Sequence, residues 1–187
     1  NIFNQDTENK KGDIKANKFG FVLGLGVKQA LNSHRVDYVF SENSTTKTIA
    51  STASSLSGEE DKKIITSGLT YTIGKDTRNS LFNTNTGYTW SISSTLAGLG
   101  GDTNFVKSIA KYRVYYPLHY GEYVFGLKTS MGFVSALEDK VTRSNRFSLG
   151  GRTLRGFDSS GVGPRDIGNS GVVGGNNYYN ASITMQY

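Results

Sequence analysis

The chain has 187 residues, a formal net charge of +6 and no cysteine. This length suffices for one domain with a sizeable core, and the lack of cysteine excludes disulfides and cysteine metal sites. The charge would suit an anionic partner such as nucleic acid or lipid headgroups, but no basic run exceeds a few residues, so scattered loop lysines are favoured. No stretch approaches the roughly 20 apolar residues of a membrane helix. Because the first residue is Asn1 rather than Met, we expect a processed or excised piece.

Apolar residues alternate with small or polar ones along most of the chain, and eleven tyrosines and ten phenylalanines favour β structure. A strand turns successive side chains to opposite faces, so each alternating run is two-faced. About seven strands and no convincing helix are predicted, with strands at residues 19–27, 35–41, 65–74, 88–97, 105–116, 122–134 and 178–187. The polar stretches 4–17 and 42–63 are predicted as long loops, and the link at 117–121 as a short one.

Two architectures contain strands of this kind. A soluble β-sandwich turns its apolar faces inward, whereas a transmembrane β-barrel turns them to lipid around a polar lumen. Strand length favours the barrel, because about 9 to 11 tilted residues cross a bilayer. Aromatic residues near strand ends, such as Tyr88, Trp90 and Tyr116, also suit the interfacial girdles of a barrel. We therefore predict an all-β, antiparallel transmembrane β-barrel, with the sandwich as the alternative.

The most specific motif lies in a glycine-rich segment near the end of the chain. The segment contains RFSLGGRTLRGF, then GVGPRD, then VVGGNNYYNASI. In order and spacing it resembles the C-terminal barrel of the BamA-like outer-membrane assembly factors, whose superfamily includes two-partner-secretion transporters and the mitochondrial sorting-assembly pore. The loop tetrapeptide of that family corresponds to Leu154, Arg155, Gly156 and Phe157. The matching flanks are Gly150, Gly151, Gly161, Gly163, Pro164, Arg165 and Asp166 in the loop, and Gly174, Gly175 and Asn176 at the start of the next strand.

The resemblance implies an extracellular loop, at about residues 138–173, that folds back into the barrel lumen. Arg155 would make charge-assisted hydrogen bonds to the inner wall, and the glycines would supply positive φ angles and room for close packing. In relatives the partner of this arginine lies on a later strand with an F-x-D-x-G pattern. That pattern does not occur before Tyr187, so we expect the partner outside these residues. For Arg152 and Arg165, a solvated loop position is an equally good interpretation.

The resemblance also implies a larger barrel of about sixteen strands, of which this chain would be the middle part. Its function would be to fold and insert β-barrel proteins in the bacterial outer membrane without nucleotide or cofactor. The implied partners are outer-membrane lipid, unfolded outer-membrane protein clients and the accessory lipoproteins of an assembly complex. The alternatives are a polypeptide secretion pore of the same superfamily, a passive diffusion channel, and a soluble β-sandwich that binds a ligand.

Residues for other chemistry are sparse, and we predict no enzyme, no metal site and no nucleic-acid partner. His34 and His119 are the imidazoles of the chain, and both are predicted in surface turns. GLGGD at 98–102 is predicted as a hairpin turn, in which Asp102 could bind a cation weakly. The basic row Lys107, Lys111 and Arg113 fits a lumen-facing side of a strand better than a nucleic-acid site, which would need interleaved aromatic residues.

Overall fold

The computed structural model describes residues 1–9, 14–47, 63–138, 140–151, 153–165 and 172–187, with the backbone alone described at 5–9, 14–16, 45–47 and 120. The strands form one antiparallel sheet in which neighbours in sequence are neighbours in space. They are β1 (Ile2–Asn9), β2 (Ile14–Gln29), β3 (Asn32–Lys47), β4 (Lys63–Asp76), β5 (Gly87–Ala97), β6 (Phe105–Leu118), β7 (Tyr123–Ala136) and β8 (Asn177–Gln186). Two 3-10 helices, His119–Gly121 and Arg143–Asn145, lie between strands. None of the helices described is long and apolar enough to cross a membrane.

The register places the large apolar side chains of adjacent strands directly opposite one another. Tyr38 pairs with Leu23 on one side and Leu69 on the other, and Leu69 pairs in turn with Leu96. Directly opposite residues share a face of the sheet, so these residues form a continuous apolar face. Its large side chains are exposed at Phe19, Leu23, Leu25, Val27, Val36, Leu69, Tyr71, Ile92, Leu96, Tyr112, Tyr116, Met131, Phe133, Tyr179, Ile183 and Met185. The predicted alternation is confirmed, and so is the antiparallel barrel-type sheet.

The β-sandwich alternative is wrong for the described residues, because they form a single sheet whose large apolar side chains are exposed. The other face, which we call the polar face, carries glycine, hydroxyl and charged side chains. Cross-strand hydroxyl pairs link it at 2.8 Å between Thr70 and Thr95 and at 2.9 Å between Thr72 and Ser93. In such a pair one hydroxyl donates a hydrogen bond to the other, so no carboxylate partner is needed. Side chains of this kind are suited to a hydrated wall.

The prediction of loops at 4–17 and 42–63 is wrong over most of the described residues in those ranges. Strand β1 occupies residues 2–9, β2 begins at Ile14, and β3 continues to Lys47. The described residues therefore form eight strands where about seven were predicted, while residues 10–13 and 48–62 lie outside the described part of the chain. A strand as long as β2, at about 3.3 Å per residue, exceeds the roughly 30 Å hydrocarbon layer. Its polar end can pair in water, so an apolar pattern is not needed there.

The connections between consecutive strands lie alternately at the two rims of the sheet. One rim, which we call the short-link rim, carries the turn at Ala30 and Leu31, residues 77–86, and the predicted short link around His119. The other carries residues 98–104 and the segment from 137 to 176, and we call it the long-loop rim. The prediction that His34 lies in a turn is wrong, because His34 belongs to β3 and its Nδ1 lies 2.8 Å from Tyr71 Oη.

Candidate functional site: the loop on the polar face

The segment between β7 and β8 lies against the polar face rather than away from the sheet. Its residue Val141 is buried in a small apolar cluster with Phe105 and Val134, which both point to the polar face. Ala97 completes the buried part of this cluster, and Ala136 and Phe147 pack against it. The start of the loop therefore packs on a few apolar side chains of the polar face, and the burial of these side chains from water stabilises the contact.

Lys107 and Phe147 fix the next part of the loop. The Lys107 ammonium donates a hydrogen bond of 2.9 Å to the carbonyl of Asn145, and it lies 4.4 Å from the centre of the Phe147 ring. The Phe147 ring in turn contacts the ring of Tyr178 in β8, with centroids 4.7 Å apart. Phe147 also pairs with Gly175 through two backbone hydrogen bonds of 2.8 Å. This cation–ring–ring stack holds the loop to both β6 and β8.

A tight hairpin carries the tetrapeptide at its tip. Leu149 and Val162 pair through two backbone hydrogen bonds, and the amide of Gly151 donates to the carbonyl of Phe157 at 2.9 Å. Thr153 closes the turn by donating from its hydroxyl to the Gly150 carbonyl at 2.8 Å. The Thr153 carbonyl accepts a bond of 2.6 Å from the Asn180 amide side chain of β8, which brings the hairpin down onto the wall.

The loop glycines adopt backbone conformations that other residues rarely take. Positive φ angles occur at Gly150, Gly151, Gly156, Gly163 and Gly174, as the sequence predicts. For Gly161 and Gly175 this prediction is wrong, because neither has a positive φ. Gly150 is the most constrained, because a Cβ there would collide with the carbonyl of Asp158 and lie 2.8 Å from the amide of Gly161. The glycine content is thus a geometric requirement of the hairpin.

The tip residues are presented outward from the hairpin. Leu154 is half-buried, while Arg155, Gly156 and Phe157 are exposed. Arg155 makes no hydrogen bond or ion pair with the part of the chain that the structure describes. The expectation that its partner lies outside these residues stays a prediction, as does the closed lumen around the loop.

The flanking positions hold the hairpin stem. Arg165 donates to the carbonyl of Gly161 at 3.0 Å and pairs with Val172, while the amide of Val173 donates to the carbonyl of Pro164 at 3.0 Å. Asn176 precedes β8 and accepts a 2.8 Å hydrogen bond from the amide of Val134, which starts the pairing of β7 with β8. Arg152 and Asp166 lie outside the described residues.

The other residues considered for chemistry lie elsewhere. His119 lies in the short link, as predicted. Its Nε2 is 3.5 Å from a carboxylate oxygen of Glu122. Residues 98–104 form the predicted connection between β5 and β6, where Asp102 accepts a 2.8 Å hydrogen bond from the amide of Ile65. Within the described ranges, no group of three or more His, Cys, Asp or Glu residues could hold a metal ion.

Residues 1–187 match the Omp85 superfamily domain over their whole length. The chain belongs to the Omp85 superfamily. This Omp85 chain is 28% identical over 123 residues to the outer membrane protein assembly factor BamA of Neorickettsia risticii, covering 65% of this chain and 16% of that protein. It is 31% identical over 140 residues to the sorting and assembly machinery component 50 homolog of Mus musculus, covering 73% of this chain and 29% of that protein. The chain therefore spans less than a third of either relative.

The fold of this Omp85 chain is that of the BamA barrel. The crystal structure of BamA from Haemophilus ducreyi lacking POTRA domains 1–3 superposes with a TM-score of 0.83, at 20% identity, over 98% of this chain and 40% of that one. The Omp85 chain is thus a segment of a BamA-like β-barrel of the bacterial outer membrane, and the predicted family resemblance is confirmed.

Sequence reasoning missed the residues that hold the Omp85 loop in place. The sequence predicts that Lys107 belongs to a basic row on the lumen-facing side of a strand. It does not predict the contact of Lys107 with Phe147, or the contacts of Tyr178 and Asn180 with the loop. A usable signal is the glycine at 132, in the middle of a strand. A Cβ at Gly132 would meet the Phe147 ring at 2.9 Å and the Tyr178 ring closer still. A strand glycine often marks such a close approach.

Proposed function

We propose that this chain forms part of an outer-membrane barrel that folds and inserts β-barrel proteins into the outer membrane. The observation that carries the proposal is the tetrapeptide hairpin, held on the polar face of an Omp85 sheet whose opposite face is apolar and exposed. Both relatives are assembly components by name, which favours assembly over a secretion pore or a passive channel. The proposed clients are unfolded outer-membrane proteins, and accessory lipoproteins are the proposed partners within an assembly complex.

The mechanism needs no nucleotide or cofactor. Unpaired strand groups at the seam between the first and last strands of the barrel would template the client's strands by hydrogen bonding. Local distortion of the bilayer around the barrel would lower the barrier to insertion. The free energy would come from the client itself, because in lipid its backbone groups are satisfied only once its own barrel closes. The residues of this chain would keep their part of the barrel wall and the loop in a defined shape.

In this mechanism Arg155 orders the loop inside the barrel. Its guanidinium presents five donors in a planar fork, which suits a carboxylate or carbonyls on the facing wall. Phe147 anchors the base of the hairpin, and Asn180 binds the Thr153 carbonyl in its turn. The Arg155 side chain at the tip is exposed, so it is available to a group on a facing wall.

The test is the substitution of Arg155 by alanine in the full-length protein. We expect slower insertion of an outer-membrane client into liposomes and a lower temperature at which the folded barrel loses its fast electrophoretic mobility. Loss of one charge-assisted pair would cost about 2 kcal/mol. Arg155→Lys should restore the activity only in part, because lysine lacks the planar fork.

Lys140→Ala is the matched control, since Lys140 is an exposed cation of the same loop. It should leave both measurements unchanged. Wild-type insertion rates and thermal mobility in Arg155→Ala would contradict the role assigned to this arginine.

A further inference from the structure

The polar face carries a marked excess of positive charge. Among the described strand side chains, the carboxylates on this face are Asp37 and Asp76. Each is already bound to a neighbouring arginine, with Asp37 2.7 Å from Arg35 and Asp76 2.6 Å from Arg78. The other charged strand side chains described on this face are Lys18, Lys28, Lys107, Lys111, Arg113 and Lys128.

Three of these cations lie together near the middle of the sheet. Arg113 in β6 and Lys128 in β7 are direct cross-strand partners, and Lys111 lies two residues from Arg113 on the same strand. Cβ atoms of directly opposite residues are about 5 Å apart, and like charges in that position destabilise a sheet. A bound anion that neutralised these charges would therefore stabilise the sheet.

No such anion is found in the described part of the chain. All three cations are exposed, and none of them forms an ion pair with a described residue. Arg78 shares a recess with Lys111 and Arg113, but its hydrogen bond to Asp76 raises the pKa of the guanidinium and keeps the two groups paired. The recess of about 180 Å³ is lined by Lys111 and Arg113 together with Thr89 and Ser91, whose hydroxyls can donate hydrogen bonds to an anion.

The spacing of the cations fits a polypeptide better than a single small anion. Residues two apart on a strand are separated by about 7 Å, which is the separation of Lys111 from Arg113. Carboxylates at alternate positions of an extended peptide have the same separation. A phosphate ion could reach one or two of the cations, whereas an acidic strand laid along the wall could neutralise all three.

We propose that Lys111, Arg113 and Lys128 form a binding site for an acidic segment of polypeptide in extended conformation on the polar face. Arg113 and Lys128 lie toward the short-link rim. Lys111 lies in the cross-strand row of Ser130 and Asn180, and Asn180 binds the loop at Thr153, so the site adjoins the hairpin tip. It would attract acidic segments by long-range electrostatics. This proposal does not depend on the insertion activity proposed above, because binding is measured directly on the isolated protein.

The experiment measures binding of fluorescently labelled hexaglutamate to the full-length protein in zwitterionic detergent at low ionic strength. Hexaglutamine serves as the uncharged probe and inorganic phosphate as the competitor. We expect hexaglutamate to bind, hexaglutamine not to bind, and phosphate at equal charge not to displace the peptide. The triple variant K111Q/R113Q/K128Q should lose at least about tenfold in affinity. Lys75→Gln, a cation of the apolar face near the same rim, should bind as wild type does.

Thermal mobility on gels checks the folding of the triple variant, which should be at least as stable as the wild type because like charges have been removed. Equal peptide affinity in the triple variant would overturn the proposal. Displacement by phosphate at equal charge would also overturn it, since the site would then not distinguish an extended acidic peptide from a small anion. A marked loss of stability in the triple variant would do the same, because it would show that the cations are already paired within the folded protein.

Discussion

Lys107 shows how one residue on the wall can decide the position of a long loop. Its ammonium is half-buried, and it satisfies a loop carbonyl at 2.9 Å while lying over the Phe147 ring. A cation held against an aromatic face in a partly desolvated site contributes about 1 to 2 kcal/mol. Lys111, on the same strand and face, is exposed and makes no such contact. The two lysines therefore form a natural comparison.

Substitution of Lys107 by alanine should loosen the loop without unfolding the sheet. The amides of Phe147 and Gly175, which donate to each other's carbonyls, should exchange with deuterium about tenfold faster or more. Hydrogen exchange of the full-length protein, followed by mass spectrometry of peptides covering 143–151 and 172–178, measures this. Lys111→Ala should leave those peptides at wild-type rates. Equal protection in Lys107→Ala would mean that Phe147 and Tyr178 hold the loop alone.

Strand β7 illustrates how one element serves lipid on one face and the loop on the other. Leu127 pairs with Ile183 on the apolar face, where Ile183 is 70% exposed. Ser130 lies on the polar face opposite Lys111. Gly126 shares the polar face, but a Cβ there would lie 2.6 Å from the Thr184 hydroxyl, so any substitution at Gly126 mixes crowding with charge. Ser130 is therefore the cleaner partner for a comparison of the two faces.

A carboxylate at position 127 should impair membrane insertion far more than one at position 130. Leu127→Glu places a charge toward lipid, which costs about 1 to 2 kcal/mol of folding free energy. In Ser130→Glu the new carboxylate faces water and Lys111. Folding yield into liposomes, read from heat-dependent gel mobility, compares the two variants of the full-length protein. Equal yields would reject the assignment of the apolar face to lipid.

The whole sheet, as described, is open, with β1 at one edge and β8 at the other. Edge strands present unpaired backbone groups, which lipid does not tolerate and which other strands can pair with. The exposed apolar side chains of β8, such as Tyr179 and Met185, add to the tendency of that edge to associate.

Residues 1–187 expressed alone in detergent should therefore self-associate. We expect light scattering to give dimers or larger species at concentrations where the full-length protein is monomeric, because only further strands or another copy can satisfy the two edges. The matched control is the full-length protein in the same detergent. A monodisperse, folded monomer of the 187 residues would show that the edges are satisfied in some other way.

The sequence by itself determined which residues lie on the apolar face of the sheet. In β2, β5 and β7 large apolar side chains alternate with small or polar ones. Successive side chains of a strand point to opposite faces, and in a barrel wall only one face is apolar. The glycines of the loop also predicted positive φ angles, which the structure has at Gly150 and Gly156 and which are nearly specific to glycine.

Only the tertiary structure decided the rest. Strand β1 and the polar ends of β2 and β3 are held by pairing with neighbours, and pairing beyond the bilayer leaves no apolar alternation in the sequence. The docking of the loop depends on Lys107 meeting Phe147 and on Asn180 meeting Thr153, contacts between residues far apart in the chain. The alternation in the sequence reflects whether each side chain lies in an apolar or an aqueous environment. The residue that it contacts on another strand or in the loop is set only when the strands pair in register.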